Sequence, residues 1–369
     1  MGPSLALAGL LLVPQAAASP AASDACGVCH RDIYRMWKGS AHAASMEGAG
    51  FLEVYRAAEA ATGRALARVC LRCHAPLAEV TGDVDLKRKS SWEGVSCEVC
   101  HSLTAVHLSG PGPYLQLDLG GPKRGPIRGA SSPAHEVAYS ELHTTALACA
   151  GCHEYTNGDG TPILTTYSEW QLSSAARAGK ACQSCHMAEV RGDVVDPRLQ
   201  REHGAAVNLH EVPGTHSLQQ LNRALKLLVT PVRQGHELLL EVTLWNRGAG
   251  HAVPTGMPGR RVILTVRVET YPARPQEQQR VYTRTFQRPG GALVDQDSGY
   301  FVDGVRELSD SRLRPDERRV ETFRFATDPS ASVHYDVKLL YEHVPMPGSE
   351  RPLRTTFLTE SRTLPPAGS

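Results

Sequence analysis

The sequence predicts an α+β chain: a loop-rich, mainly helical half over residues 24–220, then an all-β immunoglobulin-like sandwich over residues 221–369. Three observations predict this division. All ten cysteines fall in five C-x-x-C-H motifs, and all five lie before residue 187. Glycine (33) and proline (25) are plentiful and break up the helical patterns of the first half, as in a chain that wraps something instead of building long elements. From Leu225 onward, short apolar runs separated by Gly, Pro and Asp replace that pattern, which is the mark of antiparallel strands.

The motifs are Cys26/Cys29/His30, Cys70/Cys73/His74, Cys97/Cys100/His101, Cys149/Cys152/His153 and Cys182/Cys185/His186. Each has the form by which haem c is attached. Two thiols add across the porphyrin vinyl groups, and the histidine that follows is held under the iron as proximal ligand. Zinc and disulfide sites also use C-x-x-C pairs, but neither needs a histidine after every second cysteine. Five covalent haem c groups, each with its iron, account for all ten cysteines and leave no stray thiol.

The formal net charge is +1, which excludes nucleic-acid binding by bulk charge. Aromatic residues make up only 6%, so porphyrin rings are expected to supply part of the core. Residues 1–23 read as an export signal peptide, with an apolar run Leu5–Val13 and small residues Ala16, Ala17 and Ala18 before a cleavage point. No lysine or arginine precedes Arg31, so the usual positive start is missing. That run is too short to span a bilayer, and no later stretch reads as a transmembrane segment. Haem c is attached outside the cytoplasm, so the expected location is periplasmic or extracellular.

In chain order, Trp37, Ser40 and His42 follow the first motif closely, and the spacing predicts a short helix that returns His42 towards an iron. Apolar positions from Met46 to Val69 predict a helix that delivers Cys70. Between the second and third motifs lies the basic run Lys87-Arg88-Lys89, read as a solvated loop. The short distance between those motifs predicts closely stacked haems. Gly110 to Pro133 is predicted to be irregular. A helix is expected from Ser132, with His135 and His143 about two turns apart on one face. Trp170–Ala178 is predicted as a helix feeding Cys182. His203 lies in a loop, and His210 and His216 flank a Pro-Gly turn.

In the second half, Leu225–Val229, Leu238–Leu244, Val262–Val268, Thr322–Phe325 and Tyr335–Tyr341 read as strands. Among them Asn246 to Gly256 forms a distinctive loop centred on His251. Its expected role is to reach into the first half as a distal ligand and dock the two domains. Arg260 and Arg261 follow and suit bidentate pairing with haem propionates. Five proximal histidines leave eleven of 16. His42, His135, His143, His210, His216 and His251 are the candidate distal ligands. His236, His334 and His343 are read as surface residues, with His107 and His203 in reserve.

The stretches Gly94–His101, Ser132–His135 with Cys149–His153, Cys182–Met187 and His210–His216 resemble multihaem cytochromes c related to the cytochrome c-554 family. The resemblance covers roughly residues 24 to 220. It implies electron transfer outside the cytoplasm, through mostly bis-histidine haems in stacked pairs. The chain departs from the four-haem member by a fifth motif and a long tail.

The reading is therefore an electron carrier with no catalytic residues, since two axial histidines leave no place for substrate. Redox proteins are the expected partners, such as other cytochromes or a membrane quinol-linked complex, with a homo-oligomer or filament as a further arrangement. The alternative is a reductase or oxidase of a small nitrogen or sulfur compound at one open iron. Pentahaem nitrite reductases carry lysine in their catalytic motif, whereas all five motifs here end in histidine.

Overall fold

The computed structural model describes residues 20–108, 114–199, 206–215, 217–349 and 352–367. The first nineteen residues of the expected export signal, and His203 and His216, lie outside the described residues. Among the described residues, no helix is long and apolar enough to cross a membrane.

The first half is a set of short helices joined by loops. Four motifs close a helix with their histidine as its last residue: Arg64–His74, Cys97–His101, Leu147–His153 and Gln183–His186. The first motif instead straddles the break between Ser23–Gly27 and Arg31–Lys38. One helical turn places residues three and four apart on the same face, so it presents both thiols and the imidazole together.

Several expected helices are interrupted. The 46–69 helix is two helices, Ala49–Thr62 and Arg64–His74, divided at Gly63 with φ 66°. Trp170–Ala178 is likewise split into Thr166–Gln171 and Ser174–Arg177, where the Ser173 hydroxyl accepts from Ala176 N at 3.1 Å and starts the second helix. His135 and His143 do not share a helix. Between them lies a strand, Val137–Tyr139, paired with Lys123–Gly125, and His143 sits in a 3-10 turn, Glu141–Thr144. The non-local bond from Lys123 N to the Glu136 carbonyl (2.9 Å) outweighs the local helical preference there. The supposedly irregular 110–133 stretch also pairs: Tyr114–Leu117 lies against Leu103–His107.

Among the described residues the second half has eight strands: β1 Leu225–Gln234, β2 Glu237–Asn246, β3 Arg260–Glu269, β4 Gln276–Gln287, β5 Arg306–Asp310, β6 Arg318–Ala326, β7 Val333–His343 and β8 Leu353–Leu364. They form two antiparallel sheets, in the orders β6-β2-β1 and β5-β4-β3-β7-β8. In chain order this is the immunoglobulin pattern of A-B-E facing C″-C′-C-F-G. The inward residues of both sheets share one core, including Leu238, Leu240, Val242 and Leu244 of β2 and Tyr335, Val337 and Leu339 of β7.

Helix Leu218–Ala224 leads directly into β1. The halves are clamped by buried polar groups. Arg312 pairs with Glu169 at 2.7 Å, with side chains only 7% and 11% exposed. Arg284 donates to the carbonyls of Ile163 (2.8 Å) and Pro162 (2.9 Å). Tyr155 and Ile163 also pack against Phe286, Val294 and Tyr300.

Candidate haem-binding sites

Nine of the ten cysteines are partly buried. Thiols of different motifs meet: Cys26 with Cys97, Cys73 with Cys152, and Cys149 with Cys182. The Cys100 thiol also acts on Cys149 and Cys152. The five motifs therefore form one cluster, with the fourth motif touching the second and fifth and lying near the third. These contacts do not follow the order of the motifs in the sequence.

Cys29 and Cys185 are partly buried, and the thiol-to-thiol contacts above run through their motif partners Cys26 and Cys182. Their backbones are fixed by distant chain. The Cys29 carbonyl accepts from Asp196 N at 2.7 Å, and the Cys185 carbonyl accepts from Gln220 Nε2 at 3.1 Å. Each also closes its helical turn, with N–H bonds of 3.2 Å from Cys29 to the Cys26 carbonyl and from Cys185 to the Cys182 carbonyl. Burial pushes the Cys70 thiol up to about 12 and that of Cys100 up to about 11.

Most motif histidines are oriented by one recurring bond. Nδ1–H donates to a backbone carbonyl: His30 to Val194 (2.6 Å), His74 to Ser45 (2.9 Å), His101 to Arg124 (2.6 Å) and His186 to Pro213 (2.7 Å). This fixes the tautomer and leaves Nε2 as the coordinating atom. The same bond recurs at His135 with Glu136 (3.0 Å), His210 with Asn208 (2.6 Å) and His251 with Ala252 (2.9 Å).

Burial keeps several of these rings neutral, the form a metal requires. It pushes His101 down to about 4 and His153 to about 3, and lowers His42, His74, His210 and His251 in the same direction.

Four motif histidines face a second histidine. Ring centres are 6.2 Å apart for His30 and His135, 6.3 Å for His42 and His153, 6.4 Å for His101 and His210, and 6.3 Å for His186 and His251. Two imidazoles on opposite faces of one metal, each bonded at about 2.0–2.1 Å, have ring centres roughly 6 Å apart. The residues present therefore fit iron held between imidazole pairs. His143 also lies near His101, at 6.1 Å, but its Nε2 is engaged with the Cys100 carbonyl at 2.7 Å.

Two loops show how the second histidines are delivered. His42 follows the Arg31–Lys38 helix, and its carbonyl accepts from Val95 N at 3.0 Å. A Cβ at Gly94 would lie 2.5 Å from that carbonyl and 2.3 Å from the Ser45 hydroxyl, so this approach needs glycine. His251 sits in the Asn246–Gly256 loop. Asn246 Nδ2 donates to the carbonyls of His251, Leu313 and Arg314. A Cβ at Gly248 would meet the Arg223 carbonyl at 1.7 Å. Glu169 Oε2 accepts from Ala252 N (3.0 Å) and the Thr255 hydroxyl (2.8 Å). The Arg312–Glu169 clamp thus holds the loop that presents His251 to His186.

His74 is different. Its ring stacks on Phe51, with centres 3.8 Å apart, and no described histidine ring faces it. Asp297 and Arg260 of the second half act on its charge. Near Asp297 lies His343, read from the sequence as a surface residue. It is instead largely buried, with Nε2 at 2.9 Å from Asp297 Oδ2. Asp297 and His343 carry no motif, so local sequence had no means of marking them. Arg261 is engaged by Glu342, which also holds Arg354 at 2.5 Å.

Among known proteins, the model of the family "Cytochrome c554 and c-prime" matches residues 25–102. No curated protein sequence matches the chain. Among solved structures, a penta-heme cytochrome c552 from Thermochromatium tepidum shares the fold, with a TM-score of 0.74 and 21% identity, covering 94% of this chain and 100% of that one.

Proposed function

Taking the chain as a multihaem c-type cytochrome related to the cytochrome c-554 family, with an added C-terminal β domain, we propose that it carries electrons through five covalently bound haem c groups outside the cytoplasm. Haem c supplies a one-electron ferric–ferrous couple. The ten motif cysteines, Cys29 and Cys185 included, tether the five groups, and His30, His74, His101, His153 and His186 are the proximal ligands. His135, His42, His210 and His251 are the distal ligands opposite His30, His153, His101 and His186. His143 acts as a packing neighbour of His101.

The observation that carries this reading is the set of four imidazole pairs with ring centres 6.2–6.4 Å apart. A ligand at both faces leaves these four irons no position for substrate, so electrons pass and chemistry does not. The thiol contacts that join all five motifs support a continuous path, with the fourth motif as its junction. Residues 1–23 are the export signal, 24–220 the haem domain and 221–369 the β domain. The partners are redox proteins, such as other cytochromes or a membrane quinol-linked complex.

A second activity needs one open iron. Among the described residues no histidine ring faces His74, which stacks on Phe51, and the expected ligand His216 lies outside the described residues. The test is an electron paramagnetic resonance spectrum of the oxidised, fully matured protein, with its haem-to-protein ratio. Five haems are expected, at least four of them low-spin; a fifth that is stoichiometrically high-spin marks an open iron and the second activity. A ratio other than five overturns the five-haem assignment. Five low-spin haems remove the open iron and leave a pure carrier.

A further inference from the structure

We infer that the outer face of sheet β6-β2-β1 docks an acidic one-electron carrier protein at Trp245, beside the loop that presents His251 to His186. The inference rests on the reading of the chain as an electron carrier, and goes beyond it by placing the partner.

The register of the sheet sets out this face. Side chains alternate between the two faces along each strand. On the outer one, Trp245 of β2 lies between Lys226 of β1 and Arg318 of β6. The next outward row is Leu228, Thr243 and Val320, and the row beyond it is Thr230, Glu241 and Thr322. Leu228 is 56% exposed, Val320 53% and Trp245 37%, so the face lies open to solvent. Lys226, Arg247 and Arg318 are exposed as well. The Arg247 guanidinium lies over the Trp245 ring, 4.9 Å from its centre. An exposed tryptophan therefore stands among three cations, with an apolar row at its side.

Those cations are not used within the chain. Other arginines of β6 are taken: Arg319 pairs with Glu317 at 2.6 Å and Arg324 with Glu237 at 2.7 Å. Among the described residues, no ion pair engages Lys226, Arg247 or Arg318. Glu241 is the one carboxylate in the three rows, and it lies two rows from Trp245.

Tryptophan and arginine are the side chains that most often anchor protein–protein contacts, and the charge selects the partner. A surface rich in carboxylates answers all three cations and is steered to them over a distance. A second copy of this chain does not, because a two-fold contact through this face sets like charges together.

The position of the face says what the partner does there. Asn246 follows Trp245 and turns inward, where its Nδ2 donates to the His251 carbonyl at 2.8 Å. Helix Leu218–Ala224, just ahead of Lys226, carries Gln220, which donates to the Cys185 carbonyl at 3.1 Å. Strands β1 and β2 thus run from this face directly into the supports of the fifth motif. The docked partner gives up one electron, and the ferric iron between His186 and His251 takes it. No bond forms or breaks, and no proton moves.

The probe is flavodoxin, a small acidic one-electron carrier. Its Kd for the oxidised, matured protein is measured by calorimetry at low and at high salt. The rate at which reduced flavodoxin reduces the haems is followed by stopped flow. Wild type is expected to bind at low salt and to bind more weakly as salt screens the charges. Trp245→Ala, and Lys226→Glu combined with Arg318→Glu, should each weaken binding by about 10-fold or more. The bimolecular reduction rate should fall with the affinity, while the haem-to-protein ratio and spin states stay as in wild type. Arg267→Glu combined with Lys338→Glu makes the same charge change on exposed positions of the other sheet, and should leave both readouts near wild type. Variants of the Trp245 face that bind as this control does overturn the docking face and leave the carrier reading standing. Weakened binding with an unchanged reduction rate overturns electron entry at this face. Sedimentation with phosphatidylglycerol vesicles in place of flavodoxin binding assigns the face to a lipid surface and overturns the proposal. Wild type that lacks haem, or takes no electron from flavodoxin, overturns the carrier reading itself. Should Trp245→Ala fail to load five haems, the exposed charge reversals decide.

Discussion

The β half buries Leu238, Leu240, Val242, Leu244, Tyr335, Val337, Leu339 and many more in one core between its sheets. The cysteine-rich half has only a small cluster of its own, around Met46, Tyr55, Leu71 and three alanines. Burying a large apolar side chain is worth about 1.5–3 kcal/mol, so the first region gathers enough from hydrocarbon alone and the second does not. In the cysteine-rich half, the proposed haems would supply the apolar surface that completes the core. The boundary between them is correspondingly polar: Arg312 with Glu169, and Arg284 with two backbone carbonyls.

The sharpest way to break that contrast is to withhold haem. In chain produced without haem attachment, the 24–220 region is expected to lose its helical circular-dichroism signal and to be digested by protease, while a fragment near 225–364 survives. Survival of both regions, or loss of both, would end the comparison.

Next in size is the loop that crosses the boundary. His251→Ala should convert one haem from low- to high-spin, while His143→Ala leaves every haem's spin state as it was. An unchanged spectrum for His251→Ala removes its ligand role.

The clamp comes third. Arg312→Ala strands the buried Glu169 carboxylate, and a loss of about 3–5 kcal/mol is expected, read as a lower denaturant midpoint of the matured protein. A double-mutant cycle with Glu169→Gln should recover part of it, since the partner is then no longer a buried charge. Strictly additive effects would show that the two residues act separately.

The smallest effect is at low pH. Burial pushes the Asp310 carboxyl up, but the hydrogen bonds and charge of Arg312, with the charge of Arg284, outweigh it and hold the group below its ordinary value. A depressed folded-state value means that this contribution is fully present above the unfolded value of about 3.9 and is lost as pH falls through the folded one. Thermal stability should therefore drop more steeply below about pH 4 in wild type than in Asp310→Asn. Parallel curves would exclude the group.

Some of the molecule was legible from residues alone because the relevant physics is local. Two thiols and an imidazole on one helical turn need only five consecutive positions. The strands β1, β2, β3, β6 and β7 carry apolar residues at strand spacing. Strand β4, which begins Gln276-Glu-Gln-Gln, and β8, with Thr355, Thr356 and Thr359, were missed because their polar faces leave little of that pattern. The joined helix expected over 46–69 failed at Gly63, where positive φ ended it.

The Asn246–Gly256 loop was legible as unusual, and its glycines do lie where backbone approaches backbone, as Gly248 does at Arg223. Its partner Glu169, and the Asp297–His343 pair, carried no signal, because each gains its meaning only from a residue distant in the chain. The same holds for Asp196 and Gln220, which anchor Cys29 and Cys185 from far along the sequence.

By itself, then, the sequence determined the five C-x-x-C-H motifs, the histidine that closes each and the change from helices to strands at Leu225. Tertiary structure alone decided which second histidine stands opposite which first one, and that His74 looks onto the β half. Attachment is covalent and short-range, so spacing encodes it. Facing an imidazole from across the fold depends on glycines such as Gly94 and Gly248 letting distant backbones touch, and no local pattern encodes that.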